Sequence, residues 1–276
     1  MRPAEVVRRG ADYLDRHEVQ SPLADAEQLL RAVLGTDRAG LYARKEPLNP
    51  VEARAYGRAL CRRCTGTPLQ HVTGEQGFRR LVLAVRPGVF VPRPETEVLV
   101  EVALEVCAEV APLVADVGTG NGAVALAVKD ERPAATVWAT DVSPEAATLA
   151  RANAAQLGLD IRVCEGDLLE PLSATLRGSL SLVVSNPPYV SAEELRGAPA
   201  EILADPVLAL EGGPEVYRRL FGQAHAWLRA GGHVAVEIGE TQSDVVGALA
   251  MDAGFEEVRV RQDLAGRDRV VVARRP

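Results

Sequence analysis

Apolar positions follow two different rhythms along the chain. Residues 1–70 keep a helical spacing. "AEVVRRGADYLDRH" places Val6, Val7, Ala11 and Leu14 on one face. "SPLADAEQLLRAVLG" offers Ser21 as an N-cap, Pro22 at the first helical position and Gly35 as a stop. "NPVEARAYGRALCRRCTG" repeats that grammar with Asn49, Pro50 and Gly66. Three or four short helices with polar outer faces predict a small bundle, of a size suited to docking or recognition. Residues 68–92 switch to short β-type runs around glycines and read as a β-hairpin linker, with strands near Gln70–Val72 and Leu81–Val85. A helix is expected to start at Pro94, with Glu95 and Glu97 favourably placed in its first turn.

From residue 112 the rhythm changes again. "PLVADVG", "TVWATDV", "IRVCEGD", "SLVVSN" and "HVAVEIG" read as strands, separated by helical stretches such as "SPEAATLARANAAQLG", capped by Ser143. "EVYRRLFGQAHAWLRAGG" reads as a helix ending in its glycines, and "FEEVRVRQ" and "RDRVVVARR" as a closing antiparallel pair. Seven strands alternating with helices predict an α/β fold with a doubly wound, mostly parallel sheet. The expected organisation is a helical domain over 1–67, a linker over 68–92 and an α/β domain over 93–276.

Composition narrows the picture. With 276 residues, 47% hydrophobic and 25% charged, the chain is globular in type. No apolar run reaches the roughly 18 residues of a membrane span, and the first residues lack the apolar core of a signal peptide. A cytoplasmic protein acting away from membranes is expected. The net charge of -7 is unevenly spread: residues 1–80 carry 14 Lys and Arg against 10 Asp and Glu, so the remainder is strongly acidic. That body argues against direct nucleic-acid binding, which needs a basic footprint. Cys61 and Cys64 form a C-x-x-C without a second metal-ligand pair at zinc spacing, and read as two cysteines one turn apart on a helix.

The first candidate chemistry is "VADVGTGNGAVAL". Gly118, Gly120 and Gly122, with Thr119 and Asn121 between them, join a strand to a helix N-terminus, where a ligand can approach the backbone. Asp141 ends the next strand, placed to accept hydrogen bonds from both hydroxyls of a ribose. Gly118, Gly120 and Ala123 also satisfy the dinucleotide fingerprint, so a dehydrogenase stays open at this point. Asp116 favours S-adenosylmethionine: an acid beside the glycines repels a pyrophosphate and suits an ammonium. In "CEGDLLE", Asp167 stands where a loop can reach the adenine and Leu168 where a side chain can pack on it, although an Asp there equally serves as a helix cap.

The second is "SLVVSNPPYVS", a buried strand that delivers Asn186, Pro187, Pro188 and Tyr189 to the carboxyl edge of the sheet, where open α/β sheets bind ligands. The prolines stiffen the loop and carry no N–H. The Asn186 side-chain oxygen and the Pro187 carbonyl can each accept one N–H of a planar NH2 group, and Tyr189 can stack on its plane. Such a clamp aims the nitrogen in line at a sulfonium methyl. Adenine in DNA and glutamine in protein both present a planar NH2, so the tetrad alone leaves the acceptor open.

"GTPLQHVTGEQGF", "VPRPETE", "DVGTGNG", "NPPYV", "ALEGG", "VEIGETQ" and "DLAGRDRVV", in this order, resemble the HemK-type protein-glutamine methyltransferases that modify peptide-chain release factors. The resemblance implies a class I, Rossmann-like methyltransferase domain and a helical N-terminal domain that helps bind the release factor. It also implies methyl transfer from S-adenosyl-L-methionine, leaving S-adenosyl-L-homocysteine, to the side-chain amide of the glutamine in a Gly-Gly-Gln tripeptide. Gly118–Gly122 and Asp141 would then hold the cofactor and Asn186 would contact both cofactor and glutamine. Pro187 and Tyr189 would complete the clamp, and Arg93, Glu95 and Thr96 would border the cleft. The long connection over 191–213 is expected to form one wall of it. A monomer is expected. The alternatives are a DNA adenine methyltransferase, which would need a basic face or a recognition domain, and a non-catalytic S-adenosylmethionine or nucleotide-binding module, which would not need the clamp. The histidines show no constellation for hydride transfer.

Overall fold

A computed structural model describes residues 2–107, 109–199 and 202–276. The chain divides into two compact units, Met1–Glu75 with Pro199–Ala204, and Gln76–Ala198 with Asp205–Pro276.

The first unit is helical: α1 (Pro3–Asp15), α2 (Pro22–Leu34), α3 (Arg38–Ala43), α4 (Pro50–Cys64) and α5 (Leu69–Thr73). Val6, Val7 and Leu14 of α1 pack with Leu29, Leu30, Leu41, Tyr56 and Leu60, as the helical spacing requires. Asn49 caps α4 through a reciprocal capping box with Glu52, and Gly35 ends α2 in the left-handed conformation. Ser21 occupies the N-cap of α2 without making the side-chain bond. Cys61 and Cys64 lie in the last turn of α4, one turn apart.

Gln70–Val72 is not a strand. These residues lie in α5, which Pro68 starts and Gly74 stops in the left-handed conformation. The hairpin follows as β1 (Glu75–Phe78) and β2 (Leu81–Ala84). The reason is local: Pro68 is pre-set for a helix start, and one helical turn outweighs the β preference of Val72.

The second unit carries a seven-stranded sheet. A short 3-10 turn (Pro94–Thr96) leads into α6 (Glu97–Val106). Then come β3 (Leu113–Val117), α7 (Ala123–Glu131), β4 (Thr136–Asp141), α8 (Pro144–Leu157), β5 (Arg162–Glu165) and β6 (Leu180–Ser185). The long connection after β6 holds α9 (Ala192–Arg196) and α10 (Val207–Leu210), and residues 200 and 201 within it lie outside the described residues. The chain closes with α11 (Pro214–Trp227), β7 (Leu228–Glu237), α12 (Ser243–Asp252), β8 (Glu256–Gln262) and β9 (Asp268–Arg274). Strand order is β5-β4-β3-β6-β7-β9-β8, with β9 antiparallel to both its neighbours. One apolar layer, built from α6 and α7, covers one face of the sheet, and α11 and α12 cover the other. One boundary differs from the reading above. Helix α11 stops at Trp227, and the glycines Gly231 and Gly232 lie inside β7, because Leu228 already pairs with Leu180 and the strand bulges before resuming at His233.

The chain runs β3, β4, β5 outward and then returns to lay β6 on the other side of β3. That reversal is a topological switch point, where the loops after β3 and β6 diverge and leave a crevice. Val117 stands opposite Ser185 in the ladder and opposite Thr140 on the other side. The next residues of the three strands, Gly118, Asn186 and Asp141, therefore emerge side by side.

Candidate functional site

A cavity of about 360 Å³ opens at this point, within the range of small-molecule sites. Its lining includes Asp116, Gly118, Thr119, Gly120, Asn121, Asp141, Asp167, Leu168 and the whole tetrad Asn186–Tyr189. Two sequence motifs almost 70 residues apart thus share one cavity.

The glycine loop is held from beneath. Gly118 and Gly120 have φ of 69° and 58°, and a Cβ added at either would meet nothing within 4 Å. Their open side is the cavity, so the backbone is bare toward a ligand. Gly122 does different work: it begins α7, a Cβ there would press on Leu126 and Ala150, and it is not part of the lining. Asn121 is buried and donates to the Ala84 carbonyl, while Asn153 donates to the Asn121 carbonyl at 2.8 Å. The loop is thereby anchored to β2.

Two carboxylates face the cavity. Asp141 Oδ2 accepts from the Gly120 N–H at 2.8 Å and Oδ1 from the Ser143 N–H at 2.9 Å, which fixes the plane of the group. Burial still holds its carboxyl above the usual range. Asp116 is buried, and its Oδ2 accepts from the Thr119 hydroxyl at 2.7 Å and the Ala125 N–H at 3.0 Å. Burial pushes it up to about 7 against those bonds, and the charge of Asp141 adds to the rise. Two desolvated acids in one cavity favour a cationic guest and disfavour a pyrophosphate.

On the other wall, Asn186 Nδ2 donates to the Thr96 hydroxyl at 3.2 Å. Among the described residues neither Asn186 Oδ1 nor the Pro187 carbonyl accepts a hydrogen bond. Tyr189 lines the cavity, and its hydroxyl donates to Glu237 Oε1 at 3.4 Å. The tetrad is locked from outside as well: Val190 N–H donates to the Leu210 carbonyl, and Gly212 N–H to the Val190 carbonyl. Pro206 and Leu208–Glu211 line the cavity, so this part of the 191–213 connection does form a wall.

The remaining candidates are placed less centrally. Asp167 pairs with Arg219, both half-exposed at the lining. Leu168 adopts φ 48°, a left-handed conformation that branched side chains rarely take and that often marks a ligand site. Arg93 is ion-paired to the buried Asp205 and lies over the Phe90 ring, outside the lining, as does Glu95. Thr96 is in the lining. Asp205 also accepts from the Val91 N–H at 3.1 Å, tying "VPRPE" to the far wall. Sequence reasoning passed over Asp205 and Glu237. Glu237 had a signal, as a lone acid closing the apolar strand "HVAVEIG"; Asp205 had none.

This fold and this cavity define a class, the Rossmann-like methyltransferases. The structure matches a ribosomal protein L11 methylase from Lactobacillus delbrueckii subsp. bulgaricus with a TM-score of 0.51 and 25% identity, over 70% of this chain and 84% of that one. The fold also matches a Thermus thermophilus 16S rRNA N2 G1207 methyltransferase, with a TM-score of 0.55 and 18% identity, over 73% of this chain and 50% of that one. Residues 5–74 match the PrmC N-terminal domain family and residues 82–213 the methyltransferase small domain. The release factor glutamine methyltransferase of Deinococcus radiodurans is 43% identical over 100% of this chain and 99% of its own length. That of Moorella thermoacetica is 42% identical over 98% and 96%. The chain belongs to the release factor glutamine methyltransferase family.

Proposed function

We propose that this protein transfers a methyl group from S-adenosyl-L-methionine to the side-chain amide nitrogen of the glutamine in the Gly-Gly-Gln tripeptide of peptide chain release factors. The observation that carries this reading is the shared cavity. An amide oxygen and a proline carbonyl, neither of which accepts a hydrogen bond among the described residues, share that cavity with a glycine loop flanked by two buried acids.

The residues present fit the cofactor. The bare backbone at Gly118 and Gly120 admits close contact, Asp141 offers its carboxylate to a ribose, and the buried charge of Asp116 compensates a cationic amino-acid end. Asp167 and Leu168 stand where an adenine would lie. When bound, the cofactor supplies an electrophilic methyl on a sulfonium sulfur.

The chain's own task is to hold the acceptor nitrogen. Asn186 Oδ1 and the Pro187 carbonyl each accept one amide N–H, and Tyr189 flanks the amide plane. Pulling both hydrogens to one side pyramidalises the nitrogen and directs its lone pair into the cavity. Pro187 and Pro188 keep the two acceptors at a fixed separation, so positioning supplies much of the catalysis. The nitrogen loses its proton readily after transfer, and a strong base is not needed. Residues 1–67 are proposed to recognise the folded release factor.

Asn186→Ala tests the clamp. It is expected to lower kcat by at least about 100-fold while cofactor affinity measured by calorimetry changes little. Loss of cofactor binding in place of turnover would assign Asn186 the wrong role.

A further inference from the structure

Two bare apolar side chains stand at the mouth of the cavity. In α10, Val207 is 60% exposed and Leu208 62%, while Leu210 is buried. The segment that carries them is held at both ends. Ahead of it, Asp205 is buried; its Oδ1 accepts from the Val91 N–H at 3.1 Å and its Oδ2 pairs with Arg93. Behind it, the Leu210 carbonyl accepts from the Val190 N–H at 2.9 Å, and the Gly212 N–H donates to the Val190 carbonyl at 3.0 Å. Within it, the Glu211 N–H closes the turn on the Val207 carbonyl at 2.8 Å. The anchors lie in "VPRPE" and next to the tetrad, so Val207 and Leu208 would have to break these bonds to turn inward.

We propose that Val207 and Leu208 form an apolar shelf that seats a side chain of the acceptor protein beside its glutamine, and so help to specify a protein segment as the substrate. The inference rests on the clamp described under the proposed function. Leu208 lines the cavity and Val207 does not, so the shelf runs from the cavity outward. A glutamine whose amide is held by Asn186 and Pro187 leaves its backbone at that mouth. Consecutive Cα atoms lie about 3.8 Å apart, so only residues close to the glutamine can reach the shelf. In Gly-Gly-Gln the two preceding residues have no side chain, which leaves the C-terminal flank to supply the apolar group. Apolar side chains kept exposed and adjacent at the mouth of a site mark an interaction surface.

The charges around the mouth favour the same partner. Glu211 is exposed and lines the cavity with Leu208. Arg93 and Arg219 are already paired, to Asp205 and Asp167. An acid and two aliphatic side chains give a phosphate backbone none of the cationic contacts it needs. They suit an aliphatic side chain, whose burial on the shelf releases water from both surfaces. A second copy of this chain is the other occupant with apolar surface to offer, and the test separates the two.

The test uses the full chain with S-adenosylmethionine and release factor, reading kcat, the KM for release factor and the cofactor Kd separately. Val207→Ser combined with Leu208→Ser should raise that KM about 10-fold, the loss expected when part of two aliphatic side chains can no longer be buried. The change should fall on KM rather than on kcat, with cofactor Kd unmoved. Leu208→Met, which stays apolar, should keep the wild-type KM. A merely structural role would lower melting temperature and kcat together with KM. The partner is fixed by a double-mutant cycle. Changing the first apolar residue after the glutamine of the release factor to Ser should raise KM with the wild-type enzyme and add little with the doubly substituted one. Additive effects, or a wild-type KM in the doubly substituted enzyme, would overturn the inference. So would a concentration-dependent dimer of the wild type that the two substitutions abolish without moving KM, which would give the shelf to a second copy. If KM were unmoved and Asn186→Ala inactive, only the shelf would fall; if Asn186→Ala were fully active, the clamp would fall with it.

Discussion

Gly212 lies so close to Pro188 that a Cβ added to it would stand 1.9 Å from the Pro188 carbonyl oxygen. The glycine is required here by close approach alone, since its φ lies outside the left-handed region. The same stretch bridges Val190 to Glu211 in parallel fashion, so the far wall of the cavity and the tetrad are built as one piece. Gly212→Ala must push Pro188 or the wall aside. Because a misplacement near 1 Å costs about 100-fold in a positioned reaction, kcat should fall by about that factor. Calorimetry should show the cofactor Kd within about threefold of wild type. Near-normal kcat would mean that the wall and tetrad move independently.

Asp141 has a separate role. Its two oxygens are oriented by Gly120 and Ser143, at 2.8 and 2.9 Å. Asp141→Asn leaves one acceptor where two are needed. A hydrogen bond to a charged group contributes about 1.5–3 kcal/mol, so cofactor affinity should weaken about 10-fold to 100-fold. Turnover at saturating cofactor should change far less. A fall in kcat with unaltered affinity would place the ribose elsewhere.

Stability should fall as pH rises toward neutrality, through a buried acid at the end of β7. The Glu237 carboxyl rises from 4.5 to about 7 on folding, so the folded chain binds its proton more tightly than the unfolded one. Its contribution to stability is fully present below the unfolded value and is lost as pH rises through about 7. Glu237→Gln removes that loss. Unfolding in urea should find the variant gaining on the wild type by on the order of 2 kcal/mol between pH 5 and pH 8. A difference independent of pH would mean that Glu237 does not titrate in this range.

Much of the site was legible in the chain because it is local. The glycine loop, Asp141 and the tetrad each follow a strand, and strand–helix alternation places strand ends together at a switch point. What escaped was of two kinds. Gln70–Val72 carries β-type residues, yet Pro68 and Gly74 bracket a single helical turn, and the "LRAGG" glycines sit in a bulged strand rather than ending a helix. Glu237 and Asp205 work through partners 48 and more residues distant, Tyr189 and Arg93, so no spacing rule connects them.

The central claim is that the clamp delivers a methyl group to a protein glutamine. The most direct measurement is methyl incorporation from labelled S-adenosylmethionine, comparing release factor, release factor with the tripeptide Gln changed to Ala, and duplex DNA. Label in intact release factor alone is the predicted result. Label in DNA, or equal label in the Gln→Ala release factor, would contradict it.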